Sequence, residues 1–195
     1  MEGIENELSP VESLKMISAV IGKTKENIRL HSFPFLLWGW LIAIASLLFF
    51  FLRSYTHFKQ YFLPFPILSI TGIALTINYY RRSTAYETYL SYYLKKLWLV
   101  LGVSFILVVF INVTHGVLPF TYTILIAGIG TLASGLVLRF TPLVVGGVLF
   151  LLFSVATTYV NDSYSPLLSG LAVIAGYLIP GYLLKYSKPS EIDVQ

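Results

Sequence analysis

The chain has no cysteine among its 195 residues and few charged side chains. The absence of cysteine excludes disulfides, thiolate chemistry and the usual structural zinc sites. Charged residues make up 11% of the sequence and hydrophobic residues 56%, whereas an ordinary soluble domain has about 25% charged residues. This balance indicates that lipid, and not water, surrounds most of the folded chain.

Ionisable groups are missing from the places where membrane chemistry would need them. All nine Asp and Glu lie in polar segments or in turns between apolar runs, whereas ion-coupled transporters commonly keep ionisable groups inside their bundles. His31, His57 and His115 each lie at the end of an apolar run and share no ligand spacing. Phosphate-loop and nucleic-acid signatures are also absent. We therefore predict no catalytic residue, no cofactor, no metal site and no nucleic-acid partner.

Six apolar runs are long enough to cross a bilayer, which takes about 20 helical residues. Turn formers such as Thr141-Pro142 separate the later runs, and the runs lack the charged faces of soluble helices. The sequence predicts an all-α membrane protein: a segment 1–33, a six-helix transmembrane bundle 34–185, and a tail 186–195. The predicted spans are 34–52, 61–80, 97–113, 118–138, 143–160 and 167–184.

Lys and Arg indicate the orientation, because short cytoplasmic loops retain positive charge. Eleven basic residues fall on one side of the predicted spans, and only Arg53 and Lys59 fall on the other. Both termini are therefore predicted to be cytoplasmic, where the basic residues meet anionic lipid headgroups. The eleven are Lys15, Lys23, Lys25, Arg29, Arg81, Arg82, Lys95, Lys96, Arg139, Lys185 and Lys188.

An amphipathic helix is predicted over about residues 10–30, before the first span. Ser9 is placed as its N-cap and Pro10 at its first position, with Glu12 completing a capping box. The helix lies in the inner interface with its basic end on lipid phosphates, or it docks a cytoplasmic protein or a second copy of the chain. Its apolar stripe is Leu14, Ile17, Ile21 and Ile28, and its basic residues are Lys23, Lys25 and Arg29.

The second cytoplasmic loop, 81–96, is predicted to extend the third span as an interfacial helix. Arg81 and Arg82 open it, and Tyr86, Tyr89 and Tyr93 share a helical face with Leu90 and Leu94. Tyrosines at the headgroup level usually anchor a helix in the interface. The alternative is a contact surface for a partner.

Small residues in the last three spans predict close helix packing. Gly72 to Arg81, Gly130 to Arg139 and Gly176 to Lys185 also repeat a nine-residue spacing, which suits three helical hairpins. The positive-inside rule alone would place those basic ends, so a true triplication stays an alternative. Pro180 is predicted to bend span six because it cannot donate to the carbonyl of Gly176. The predicted packing residues are Ala127, Gly130, Thr131, Ser134, Gly135, Gly146, Gly147, Gly170 and Gly176.

Two segments, Glu12-Ser13-Leu14-Lys15-Met16-Ile17 and Phe35-Leu36-Leu37-Trp38-Gly39-Trp40, resemble the opening of uncharacterised small bacterial inner-membrane proteins. The resemblance covers about the first quarter of the chain and supplies no catalytic residue. It implies location in the bacterial inner membrane and proximity to genes for winged-helix transcriptional regulators. That setting suggests a regulatory or sensing role.

Three functions are compatible with the sequence. The first is a non-enzymatic regulatory partner or accessory subunit that acts through its cytoplasmic helix. The second is a small transporter or channel for an apolar or neutral solute. The third is a lipid-modifying enzyme, which requires His115 and Asp162 to meet at the outer face.

Overall fold

The computed structural model describes residues 32–56, 58–82 and 89–187, together with Val11 and Leu14. Within these ranges the regular structure is entirely helical. The helices are α1 (Ser32–Tyr55), α2 (Pro64–Arg82), α3 (Tyr89–Thr114), α4 (Phe120–Val137), α5 (Thr141–Thr157) and α6 (Ser165–Tyr186).

Four helices in the described ranges are long and apolar enough to cross a membrane, by length and composition. They are α1, α3 from Leu90 onwards, α4 and α6. Helix α5 is apolar but has only 17 residues. Helix α2 has 19 residues, and it carries Pro66, Asn78 and two arginines among its apolar side chains.

Successive helices run antiparallel, so the bundle has two distinct ends. Thr157 Oγ1 hydrogen-bonds to Thr121 Oγ1 at 2.9 Å, which joins the end of α5 to the start of α4. Phe33 at the start of α1 stacks on Tyr79 near the end of α2, with 4.1 Å between ring centroids. Ser32 and Tyr186 therefore lie at one end of the bundle, and Phe120 lies at the other.

Helix α6 occupies the centre of the bundle and packs against α1, α4 and α5. Helices α4 and α5 form the closest pair, because Gly135 and Gly147 leave room for the opposing backbone. A methyl group added at Gly147 would lie 2.5 Å from the backbone nitrogen of Leu132. The two remaining helices are peripheral: α2 packs on α1, and α3 packs on α4.

The three predicted hairpins share one contact, in which an aromatic ring of the first helix covers a glycine of the second. Trp38 lies over Gly72 between α1 and α2, Trp98 over Gly130 between α3 and α4, and Phe150 over Gly176 between α5 and α6. These are the glycines of the nine-residue spacing. Packing supports the hairpin interpretation, and common descent of the three hairpins stays a prediction.

The irregular part of α6 is a single π-helical turn over Ile174–Leu178. Pro180 follows directly and has no N–H to donate to the carbonyl of Gly176, so the helix widens ahead of the proline. The freed carbonyl faces α5: a methyl group added at Gly146 would lie 2.7 Å from the Gly176 oxygen. The sequence indicated the position of this irregularity, and the structure defines its form.

In the turn between α4 and α5, Arg139 has a positive φ of 51°. Phe140 N donates to Gly135 O at 2.9 Å, and Arg139 N donates to Leu136 O at 3.2 Å. This is the arrangement in which glycine commonly ends a helix. The chain thus keeps a charged side chain at a position that favours glycine.

Helix α3 is longer than predicted span 97–113, in agreement with the helical extension predicted for loop 81–96. Helix α3 begins at Tyr89, eight residues before predicted span 97–113, and continues through Lys95 and Lys96. A hydropathy criterion ends a span at charged and tyrosine-rich sequence, although the helical backbone does not stop there. Leu90 and Leu94 face inward, whereas Tyr93 is exposed. The tyrosines and leucines predicted to share one helical face therefore do not all point to the same side of α3.

Candidate functional site

Basic residues concentrate at one end of the bundle, which we call the basic end. Six of the eight described Lys and Arg lie there: Arg81, Arg82, Lys95, Lys96, Arg139 and Lys185. The opposite end carries Arg53 and Lys59, with Asp162, the one carboxylate within the described ranges. No described acidic side chain therefore neutralises the basic end.

Aromatic rings accompany the cations at the basic end. Lys95 Nζ lies 4.9 Å from the ring centroid of Tyr80, and this contact reaches from α3 to α2. Lys96 lies over Tyr92 at 5.4 Å, and Lys185 lies over Tyr186 at 5.5 Å. A cation over an aromatic face is held by the ring quadrupole and still offers its other side to an anion.

A second aromatic group lies on the α1–α6 face of the basic end. Trp40 Nε1 donates a hydrogen bond to the Tyr182 hydroxyl at 3.1 Å. The Tyr182 ring stacks on Tyr186, with centroids 6.5 Å apart and an interplanar angle of 8°. Trp and Tyr with an apolar body and a polar tip favour the boundary between lipid and water.

The residues predicted to contact lipid or a partner divide into two groups. Arg81, Arg82 and Tyr93 are exposed at the basic end, and Tyr89 is the first residue of α3. Leu14 is helical and 66% exposed. The other predicted residues lie outside the described ranges: Ile17, Ile21, Ile28, Lys23, Lys25, Arg29 and Tyr86.

All the predicted packing residues are buried within the bundle. In α4, Ala127, Gly130, Thr131, Ser134 and Gly135 share the faces toward α3, α5 and α6. The other four are at helix contacts: Gly146 and Gly147 in α5, and Gly170 and Gly176 in α6.

Two buried hydroxyls of α4, those of Ser134 and Thr131, bond to side chains of neighbouring helices that the sequence did not indicate as their partners. Trp98 Nε1 donates to Ser134 Oγ at 3.1 Å, and Ser134 Oγ donates to Gly130 O at 2.7 Å. The Tyr177 hydroxyl pairs with Thr131, whose Oγ1 donates to Ala127 O at 2.7 Å. Each series of hydrogen bonds ends on a backbone carbonyl of α4, so both hydroxyls have structural roles.

Aromatic rings surround this polar pair and join four helices. Tyr177 packs against Phe35, Trp98 and Phe150, with centroids 5.7, 6.2 and 4.8 Å away. Phe35 and Trp98 also meet edge to face at 5.9 Å. Their spacing in the sequence, across α1, α3, α5 and α6, offered no signal for this cluster.

The described core contains no buried ionisable acid, base or metal-binding group. Its buried polar side chains are serines and threonines, in addition to Tyr177. No group of three or more His, Asp or Glu approaches metal-binding geometry among the described residues. His115 and Asp162 are both exposed, and within these ranges no hydrogen bond or ion pair joins them.

A shallow groove of about 250 Å³ lies between α3 and α4 at the opposite end, lined by Val108, Ile111, Asn112 and Tyr122. Asn112 Nδ2 donates to Val108 O at 2.8 Å, so the amide is already bonded within its own helix. The polar groups of the groove are therefore the Asn112 carboxamide and the Tyr122 hydroxyl, and they include no acid, base or metal ligand set.

No family model, curated protein or solved structure matches this chain.

Proposed function

We propose that this chain is a non-enzymatic, six-span protein of the bacterial inner membrane, with both termini in the cytoplasm. It acts as a regulatory partner or accessory subunit through its cytoplasmic side, where the helix 10–30 adjoins the basic end of the bundle. The observation that carries the proposal is the separation of charge between the ends: six of eight described basic side chains at one end, and the one described carboxylate at the other.

The antiparallel order of the six helices supports both spanning and orientation. An even number of alternating helices returns the chain to the end at which it began, and that end holds Arg81, Arg82 and Lys185. Positive charge is retained on the cytoplasmic side. Helix α5 is short for a span, but its length of about 26 Å at 1.5 Å per residue approaches the hydrocarbon thickness of about 30 Å.

Topology can be tested directly because the natural chain has no cysteine. Single-cysteine variants Ser163→Cys and Ser187→Cys place one thiol at each end of the bundle. A membrane-impermeant maleimide added to intact spheroplasts should label Ser163→Cys, and it should label Ser187→Cys only after permeabilisation. Labelling of both, or of Ser187→Cys alone, contradicts the proposed orientation.

The partner role is tested by isolating the full-length chain from native membranes in mild detergent and identifying co-purifying proteins. The paired substitution Leu14→Asp and Ile17→Asp removes the apolar stripe of the helix 10–30, whereas Lys23→Gln and Lys25→Gln remove only charge. Loss of a specific partner with the first pair, but not the second, supports docking through the stripe. A consistently solitary monomer contradicts the partner role.

A transporter or channel for an apolar or neutral solute is the second candidate, favoured by the π turn of α6 next to Pro180. Interrupted helices mark substrate sites in many transporters. The described core argues against a path there, because Phe150, Leu143 and Thr131 are fully buried. A Thr131→Cys variant distinguishes the two: an aqueous path predicts rapid labelling by a water-soluble maleimide, and a solid core predicts none.

A further inference from the structure

Helices α2 and α3 are consecutive in the chain, yet they do not pack against each other in the described ranges. Each packs through one narrow stripe on a different neighbour. The remaining surfaces are apolar and exposed, including Ile73 and Ile77 of α2 and Leu99 and Val103 of α3. A lateral space therefore lies between α2 and α3.

Aromatic contacts delimit this space on two sides. Its inner wall is closed where Phe35 meets Trp98 and both meet Tyr177. At the opposite end it is closed by Phe65 of α2 and Phe49 of α1, which contact Phe120 of α4 at 5.6 and 5.5 Å. Aromatic and aliphatic side chains thus form the described walls of the space.

The remaining end of the space lies at the basic end of the bundle and carries positive charge. Arg81 and Arg82 end α2, and Lys95 and Lys96 lie in the first two turns of α3. Lys95 Nζ reaches across to the Tyr80 ring and links the two walls. The sequence from Arg81 to Lys96 has four basic residues against one acidic residue, Glu87.

We propose that the space between α2 and α3 binds one anionic phospholipid of the cytoplasmic leaflet. Its acyl chains lie along the apolar walls, and its phosphate meets Arg81, Arg82 and Lys96. Charge complementarity selects this occupant, because a zwitterionic lipid or a second apolar helix would bring no net negative charge to Arg81, Arg82 and Lys96. The proposal rests on the membrane placement proposed above and assigns a specific lipid site within it.

Tryptophan fluorescence provides the readout. Trp38 and Trp98 are half-buried and border the space, whereas Trp40 lies on the α1–α6 face beside Tyr182. The Trp40→Phe variant of the full chain therefore reports on this region. It is reconstituted in phosphatidylcholine vesicles with a minor fraction of brominated phosphatidylglycerol, or with the same fraction of brominated phosphatidylcholine.

We expect the brominated anionic lipid to quench more strongly than the brominated zwitterionic lipid at equal fraction. Arg81→Gln with Arg82→Gln should weaken the preference by about fivefold for each charge removed. The matched control, Arg139→Gln with Lys185→Gln, removes two charges from the same end away from α2 and α3 and should preserve the preference. Circular dichroism checks that every variant is folded.

Equal quenching by the two lipids overturns the site, and so does an equal effect of the control pair, which would indicate only a general surface potential. Reversal by inorganic phosphate overturns it by showing an anion site without lipid. A Gly102→Cys variant tests for a second copy instead, because that position has open space around it; efficient disulfide dimers in the bilayer would overturn lipid occupancy. Failure of the chain to insert into vesicles would instead contradict the proposed function.

Discussion

The indole nitrogen of Trp98 donates a hydrogen bond to Ser134 Oγ across 3.1 Å, and this bond links peripheral helix α3 to the core of the bundle. Helix α3 packs chiefly on α4, and few of its residues are buried. Ser134 is fully buried, and its hydroxyl in turn donates a hydrogen bond to the carbonyl oxygen of Gly130. Attachment of α3 to α4 therefore depends on few contacts, and this hydrogen bond is one of them.

Trp98→Phe should lower the free energy of unfolding by more than about 1 kcal/mol, since it removes the donor and also the far edge of the indole that covers Gly130. Unfolding is measured in mixed detergent micelles as the denaturing detergent is raised. Ser134→Ala removes the acceptor. If the bond exists, the double variant loses less than the sum of the single losses, and strict additivity would contradict it.

Close backbone approach predicts contrasting effects of one substitution at two glycines. Gly147→Ala should destabilise by about 1–3 kcal/mol, because its methyl group would meet the backbone of Leu132 in α4. Gly102→Ala is the matched control: open space surrounds that position in α3, and alanine favours helix by up to about 1 kcal/mol. Similar unfolding curves for the two variants would contradict the tight α4–α5 contact.

Much of the fold follows from the sequence, because apolar run length and turn residues act locally. Thr141-Pro142, predicted to separate spans four and five, forms the start of α5, with proline in the first turn. In the turn before α6, Asn161 Oδ1 accepts a hydrogen bond from Ser163 N at 3.0 Å. The helical extension of α3 ahead of predicted span 97–113 was also predicted, and the structure shows it from Tyr89 through Lys95 and Lys96.

The arrangement of helices was not predictable in the same way. In a bundle whose helices are apolar all round, hydrophobic periodicity does not say which face meets which neighbour. The small residues of α4 indicated close packing, but not that Tyr177 would bring its hydroxyl to Thr131 while Trp98 approached Ser134. At the basic end, net charge was readable from the sequence, whereas the Lys95–Tyr80 contact across α2 and α3 required coordinates.

Replacing Ser46 by alanine should not lower the stability of the protein. The Ser46 hydroxyl is fully buried between α1 and α6, facing Gly170, and finds no hydrogen-bond partner among the residues that the structure describes. Removing a buried hydroxyl that bonds to nothing should leave stability unchanged or raise it slightly. Ser46→Ala should therefore unfold like the wild type or at higher denaturing detergent.

Ser154→Ala is the control for that prediction, since it deletes the same group from a satisfied position. Ser154 Oγ donates to Thr121 O in α4 at 2.9 Å, and its loss should cost about 1 kcal/mol. Equal destabilisation by the two substitutions would show that Ser46 has a partner in the folded membrane protein.

Two substitutions of Arg139 distinguish the effect of backbone strain from the effect of charge at the α4–α5 turn. The φ of 51° at Arg139 is costly for any residue with a Cβ. Arg139→Gly should therefore raise the free energy of unfolding by about 1 kcal/mol. Arg139→Ala keeps the strained backbone and should leave the free energy of unfolding unchanged. Both remove the same charge and leave ten basic residues on the predicted cytoplasmic side, so thiol labelling of Ser163→Cys should show the same orientation. Unfolding measurements on the pair isolate the backbone effect. Equal stability of the two variants would show that the turn relaxes, and inversion of orientation in both would show that this single charge directs insertion.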